Sequence, residues 1–419
     1  MTTMTTGMKR LIQTIFCTAL ICSRLFSQNN NLEYYVTQAM ASSPLLKDYQ
    51  YQQQSGQLDS QRIRAANRPQ VNGSTFNSYA PVIGGVGYDQ AISNGGAFAT
   101  LVSVNKTIVS KKNLNTQFET LHLQNESLKN TAKISEQDLI RTVTAQYITA
   151  FGIMQQLNFN RDILALLKKE EVILKTLTER NVYRQTDYLT FLVTLQQQGL
   201  LCRQLQIQYQ NEFGTLNYLA GINDTSSVWL QEPSIRLSGL PQMYNSVFFR
   251  QFEIDSLKLT NSRALVDFSY RPKTNLFADA GFNSSLAYTP YRNFGTSFGF
   301  SVTVPIYDGH QRKLQYSKIN LAELTRNAYQ QFFTSQYRQQ IAQLTQQLHA
   351  TDELIGQISE QIRYSESLIQ VNGKLLETGD ARIADYIIAL NNYLNAKNLL
   401  TQNDITRYQI INQINYWNR

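Results

Sequence analysis

A chain of 419 residues with a formal net charge of +8 and three cysteines excludes several classes before any motif is read. Its basic residues are scattered among Gln, Asn and acids rather than gathered in a stripe, which argues against nucleic-acid binding and for a solvated, mildly basic surface. After Ser27 no run of 18 apolar residues occurs, so a membrane protein built on spanning helices is excluded, whereas a membrane β-barrel is not, because its strands are short and alternating.

In chain order, Met8-Lys9-Arg10 supplies a basic region, Leu11 to Cys22 an apolar one, and Leu25-Phe26-Ser27 a cleavage site before Gln28. That is the pattern of a secretory signal peptide over 1–27. A retained anchor is the competing reading, Ile21 before Cys22 disfavours a lipoprotein signal, and Met8 is an alternative start. Cleavage removes Cys17 and Cys22 and leaves Cys202 without an intrachain partner, so packing or oligomerisation must supply the stability.

Leu32 to about Ala66 reads as helix, with Ser43-Pro44 a local start signal. Strands are expected from about Val71 to Tyr79 and from Ala97 to Thr107, joined by a turn-rich stretch around Pro81, Gly84 to Gly87, and Asn94-Gly95-Gly96. From Lys111 to about Thr178 helix breakers almost vanish, and Leu114, Phe118, Leu121, Leu128 and Ala132 recur at three- and four-residue steps. A helix of about 65 residues would reach roughly 100 Å. Such a helix survives only by packing along its length against neighbours.

The second half repeats this order with a clearer strand signal. Leu276, Ala278, Ala280 and Phe282 share one face of a strand, with Phe277, Asp279, Gly281 and Asn283 opposite. In the next strand Phe294, Thr296, Phe298, Phe300, Val302 and Val304 share a face, with Gly295, Ser297, Gly299, Ser301 and Thr303 opposite. A second long helical stretch follows from Gln311 to about Glu377, with Leu314, Leu321, Leu324, Ala328 and Phe332 in step.

Three anchors mark an internal repeat at a spacing of roughly 200 positions. Arg68-Pro69 matches Arg271-Pro272, Thr186-Asp187-Tyr188-Leu189 matches Ala384-Asp385-Tyr386-Ile387, and Leu216-Asn217-Tyr218-Leu219 matches Ile414-Asn415-Tyr416-Trp417. The expected organisation is a first repeat over 28–222, a linker over 223–245 and a second repeat over 246–419. Four strands cannot close a membrane barrel, so copies must pool them, eight in a dimer or twelve in a trimer.

Several segments resemble the TolC-like outer membrane efflux protein family over essentially the whole exported chain. They are the two Arg-Pro strand openings, Ser301 to Gly309 (Ser-Val-Thr-Val-Pro-Ile-Tyr-Asp-Gly), Leu216-Asn217-Tyr218-Leu219-Ala220-Gly221, and Gly379 to Ala396 with Asp385, Ala389 and Leu394. The resemblance implies a mainly α fold with a β-barrel part. In it, a homotrimer builds a twelve-stranded barrel in the outer membrane of a Gram-negative bacterium, lying in that membrane's lipid, and a large periplasmic α-helical tunnel. It also implies an exit duct for efflux or type I secretion, docked to a periplasmic adaptor of the membrane-fusion type and an inner-membrane pump of RND, ABC or MFS type. The competing reading is an exported coiled-coil structural or adaptor protein that forms no channel.

The resemblance places Asp385 in a periplasmic gate, where three-fold symmetry would make a ring of carboxylates that raise one another's pKa and attract cations. The sequence departs from the family there: Ile388 stands where a second ring's aspartate would be, and Ala381 where a gate arginine would be. Helix capping is the alternative for Asp385 and for its counterpart Asp187. Asn181 and Gly379 are placed for left-handed turns, and with Asp187 and Asp380 they form the expected adaptor-docking tips. Pro69, Pro272, Pro305 and Gly309 mark the barrel–tunnel junction.

Tyr79, Tyr288, Tyr291 and Phe294 are candidates for a membrane aromatic girdle, and the loops Pro81–Gly96 and Tyr288–Asn293 are expected outside the cell. Tyr147 and Tyr337, on helices, read as packing residues. His122, His310 and His349 lie far apart, and no phosphate loop, nucleophile elbow or zinc motif occurs, so neither an enzyme nor a metal or cofactor is expected.

Overall fold

A computed structural model describes residues 30–89, 95–239, 242–243, 246–285 and 292–418. The signal peptide, Asn94, Tyr288 and Tyr291 lie outside the described residues. The elements are α1 (Leu32–Ser42), α2 (Pro44–Ala66), β1 (Gln70–Ala80), β2 (Gly95–Ile108), α3 (Lys111–Glu179), α4 (Gln185–Ala220), α5 (Val247–Ser269), β3 (Lys273–Ser284), β4 (Phe294–Thr303), α6 (Gln311–Thr378) and α7 (Ile383–Trp417). From α2 to α4 and from α5 to α7 the order is the same: helix, two strands, very long helix, long helix. Val304 falls just outside β4.

The chain divides into two compact units, each drawing on both halves of the sequence. One comprises Leu45–Ile134 and Tyr244–Gln336 and contains all four strands. These form one antiparallel sheet in the order β1-β2-β3-β4. The alternation in the sequence dictates its faces. Val104 lies opposite Ala278, which lies opposite Phe298, while Ser103 lies opposite Asp279, which lies opposite Ser297. One face therefore carries Val102, Val104, Ala278, Ala280, Phe298 and Phe300, and the other is mainly polar, with Ser103, Asn105, Asp279, Ser297 and Ser301 beside Leu101 and Phe277. Gly281 is required by close approach, since a Cβ there would lie 2.1 Å from the Thr100 carbonyl oxygen.

The helices of this unit are stitched by polar contacts. Asn130 of α3 is buried and donates to the Val247 carbonyl (2.9 Å), and Asn261 of α5 donates to Thr120 Oγ1 (2.7 Å). Phe249 and Phe252 of α5 pack their rings on Phe333 of α6.

The second unit takes the described residues up to Pro44, with Ser135–Met243 and Tyr337 onward. Val143, Tyr147, Ala150, Met154 and Leu157 come off α3 at helical steps. They meet Tyr35 and Ala39 of α1 and Leu205, Tyr209, Phe213 and Leu216 of α4. The break at Ser43, foreshadowed by Pro44, separates α1 from α2 and leaves the Ser42 hydroxyl donating to the Ala220 carbonyl (2.9 Å).

Across this core runs an extended strap, 222–239, with no regular structure of its own. Side chains from the helices meet its backbone: the Tyr147 hydroxyl donates to the Gln231 carbonyl (2.7 Å), Asn217 to the Asp224 carbonyl (2.6 Å), and Asn415 to the Arg236 carbonyl (2.8 Å). Cys202 is buried on α4 as a free thiol. No described helix is both long and apolar enough to cross a membrane.

Candidate functional site: the helix tips and the open sheet

The breaks in the long helical stretches form two matched turns. At the end of α3 the Asn181 amide donates to the Thr178 carbonyl (2.9 Å) and the Val182 amide to that of Leu177 (2.9 Å). At the end of α6 the Gly379 amide donates to Leu376 (3.2 Å) and the Asp380 amide to Leu375 (2.8 Å). Both are Schellman closures, which need a left-handed residue after the helix. Asn181 (φ 61°) and Gly379 (φ 85°) supply it, the conformation their residue types suggested.

The two turns also touch. A Cβ on Gly379 would sit 2.8 Å from Val182 Cγ1, and the Tyr183 hydroxyl lies 2.9 Å from the Leu376 carbonyl oxygen and 3.0 Å from that of Ala381. Tyr183 thus ties the first turn to the second. Burial, and secondarily Asp380, raises its phenol pKa. No local pattern in the sequence marks Tyr183, because the carbonyls it meets lie nearly 200 positions away.

Asp187 and Asp385 occupy the third position of α4 and α7, and the cap positions before those helices belong to Arg184 and Arg382, neither of which caps with its side chain. Neither aspartate is therefore the N-cap residue. Both carboxylates are exposed and make no hydrogen bond or ion pair among the described residues; what remains is proximity to the helix dipole. Ile388 follows Asp385 three residues on and is 58% exposed, while Tyr386, Ala389 and Leu390 are buried beside them. Asp385 and Ile388 therefore share the solvent side of α7, with an apolar cluster of Leu167, Leu174, Phe191 and Leu376 on the other. Asp380 is exposed and accepts from Thr378 Oγ1 (2.7 Å).

One carboxylate near the tips is buried. Glu170 is 6% exposed, and its Oε2 has no hydrogen-bond partner. Burial raises its pKa, Glu377 adds to the rise and Lys169 partly offsets it.

At the helical end of the sheet, Pro69 and Pro272 each immediately precede a strand, where a missing amide disrupts no ladder. Pro305 lies in the irregular stretch after β4, and Gly309 (φ 61°) with His310 (φ 68°) turns the chain into α6. The Asp308 carboxylate accepts the amides of His310 (2.9 Å) and Arg312 (2.8 Å), which start α6 and hold its pKa below the usual range. Arg312 also pairs with Asp267 of α5 (2.6 Å), which accepts from the Tyr316 hydroxyl as well. Sequence reasoning gave Asp308 no role, although an Asp-Gly pair before a periodic helix is a start signal.

The sheet is open. Among the described residues β1, of 11 residues, and β4, of 10, each pair with a strand on one side only. Its apolar face is bare, with Phe298 89% and Phe300 72% exposed. A monomer with free edges and a bare apolar face is a template for further pairing.

No family model matches the chain, and no curated protein matches it by sequence. Solved structures match it in fold. A membrane protein from Pseudomonas aeruginosa is 13% identical, with 92% of this chain and 89% of that one covered and a TM-score of 0.75. The outer membrane protein VceC of Vibrio cholerae is 12% identical, with 92% and 96% covered and a TM-score of 0.73. The open state of the Neisseria gonorrhoeae MtrE outer membrane channel is 13% identical, with 92% and 88% covered and a TM-score of 0.72. The chain has the TolC-like fold of outer membrane channels, the fold its motifs imply.

Proposed function

We propose that three copies of this chain pool their strands into a closed twelve-stranded barrel in the outer membrane of a Gram-negative bacterium, and their long helices into a periplasmic tunnel. The assembly is the exit duct of a tripartite efflux or type I secretion system, conducting passively and catalysing nothing. The single observation that carries this reading is the four-stranded sheet, mainly polar on one face and apolar on the other, whose outer strands meet no second strand among the described residues. Its strands of 10–14 residues are long enough for the roughly 9–11 residues that a tilted membrane strand needs. Closing β4 of one copy on β1 of the next removes every edge and turns Phe298 and Phe300 toward lipid.

The repeats over 28–222 and 246–419, joined by 223–245, supply one hairpin each. Asn181, Asp187, Gly379 and Asp380 form the docking tips for a periplasmic adaptor, which links the duct to an inner-membrane pump of RND, ABC or MFS type. Asp385 and Ile388 narrow the entrance. The exposed Asp385 carboxylate, which makes no hydrogen bond or ion pair among the described residues, supports a role outside its own chain. Pro69, Pro272, Pro305 and Gly309 turn the chain between barrel and tunnel.

Planar-bilayer recording tests the reading: purified protein should insert and give stable conductance steps, and Asp385→Ala should raise conductance or relieve block by divalent cations. Failure to conduct under any gating condition would remove the duct. Unchanged conductance and block in Asp385→Ala would remove the residue from the gate alone.

A further inference from the structure

One carboxylate is buried where the two helical tips pack together. Glu170 stands on α3 between Leu167 and Leu174, three residues after one and four before the other, so all three share a face. Leu167 and Leu174 belong to one buried cluster with Phe191 of α4, Leu376 of α6, and Ile383, Tyr386 and Leu390 of α7. Glu170 itself is 6% exposed, and its Oε2 has no hydrogen-bond partner. The repeat does not call for a carboxylate here. Eleven residues before the matched left-handed positions Asn181 and Gly379, the first half carries Glu170 inside, whereas the second carries Leu368, 48% exposed.

The groups around it come from all four helices of the tips. Burial chiefly, and then Glu377 of α6, disfavour its ionisation, and Lys169 of α3 partly offsets them. Tyr386 of α7 lies near enough to feel the carboxylate, and its own burial keeps the phenol neutral. α4 brings Phe191 and no charge that acts on Glu170. A buried carboxylate without a hydrogen bond is tolerable as the neutral acid and costly as the anion. Hydration relieves that cost, and hydration requires the packed helices to part.

We infer that Glu170 is a proton-operated latch between the tips: as the neutral acid it lets α3 and α4 pack on α6 and α7, and as the anion it favours an opened tip in which water reaches it. The proton comes from solvent and returns to it. The packed tip binds that proton more tightly than the opened one, so the latch is fully engaged below the ordinary carboxylate value of 4.5. It weakens as pH rises through that value and through the raised one of the packed tip. The contacts lie within one chain, so the inference does not rest on the assembly being a duct.

The test is hydrogen-exchange mass spectrometry of the full-length protein in detergent from about pH 4.5 to 8.5, with each rate divided by the intrinsic rate at that pH. Protection of 163–174 and 376–390 should fall severalfold across this range in the wild type. E170Q cannot ionise, so its protection should stay level and exceed the wild type's at the alkaline end. E377Q removes the charge that disfavours ionisation, so the fall should persist with its midpoint moved to lower pH. A merely structural effect of either substitution would be the same at every pH. Level protection in the wild type, the same fall in E170Q, or an unmoved midpoint in E377Q overturns the inference.

Discussion

Tyr183 shows what a single residue does at the tips. Its hydroxyl lies within reach of two carbonyls of the second turn and shares one proton between them, and removing such a hydrogen-bonding group costs about 1 kcal/mol. Tyr183→Phe should therefore speed amide exchange across 376–382 by roughly tenfold, read by hydrogen-exchange mass spectrometry. Gly379→Val combines a left-handed backbone with a clash against Val182, so it should destabilise the tip by about 1–2 kcal/mol and make this turn the first site of limited proteolysis.

Glu170 gives a pH-dependent case. Its folded-state pKa is raised, so the folded tip holds the proton more tightly than the unfolded chain. Stability is then unpenalised below the ordinary carboxylate value of 4.5 and falls as pH rises through that value and Glu170's own raised one. Glu170→Gln should raise the unfolding temperature at pH 8 and change it little at acidic pH. Of these residues the sequence exposed Gly379 and Asn181, because turn conformations select residue types. Tyr183 and Glu170 stayed hidden, because their importance comes from distant partners, or the lack of them.

At the scale of elements, the strands and long helices are legible because each repeats its environment at a fixed period. Phe294 to Val302 alternate as β4 requires, and the absence of breakers from Lys111 to Thr178 is α3 almost to the residue. The strap over 222–239 is legible only as a linker, and its course is not. It has no period, and its backbone is satisfied by Tyr147, Asn217 and Asn415 from three different helices. The alternation also yields a directional prediction. Phe298→Arg places a charge on the apolar face and should cost roughly 2–4 kcal/mol if it lies near the bilayer midplane, abolishing assembly in urea-resistant form. Ser297→Arg, one residue away on the polar face, should assemble normally and alter ion selectivity. Equal tolerance of the two would contradict the assignment of faces.

At the scale of the whole molecule, the proposed barrel requires more than one copy of the chain. Among the described residues the outer strands β1 and β4 meet no second strand, the apolar face of the sheet is exposed, and Leu314, Leu321, Leu324 and Phe332 of α6 each remain more than half exposed. Sequence arithmetic reached the same point, since four strands are too few for a membrane barrel. The number of copies is not written in one chain's periodicity, because identical interfaces can close at two or at three. The measurement that bears on this most directly is the native mass of the protein extracted in detergent from the outer-membrane fraction. A trimer is the expected result and gives twelve pooled strands; a monomer or dimer from a soluble periplasmic fraction would contradict the barrel, and the duct with it.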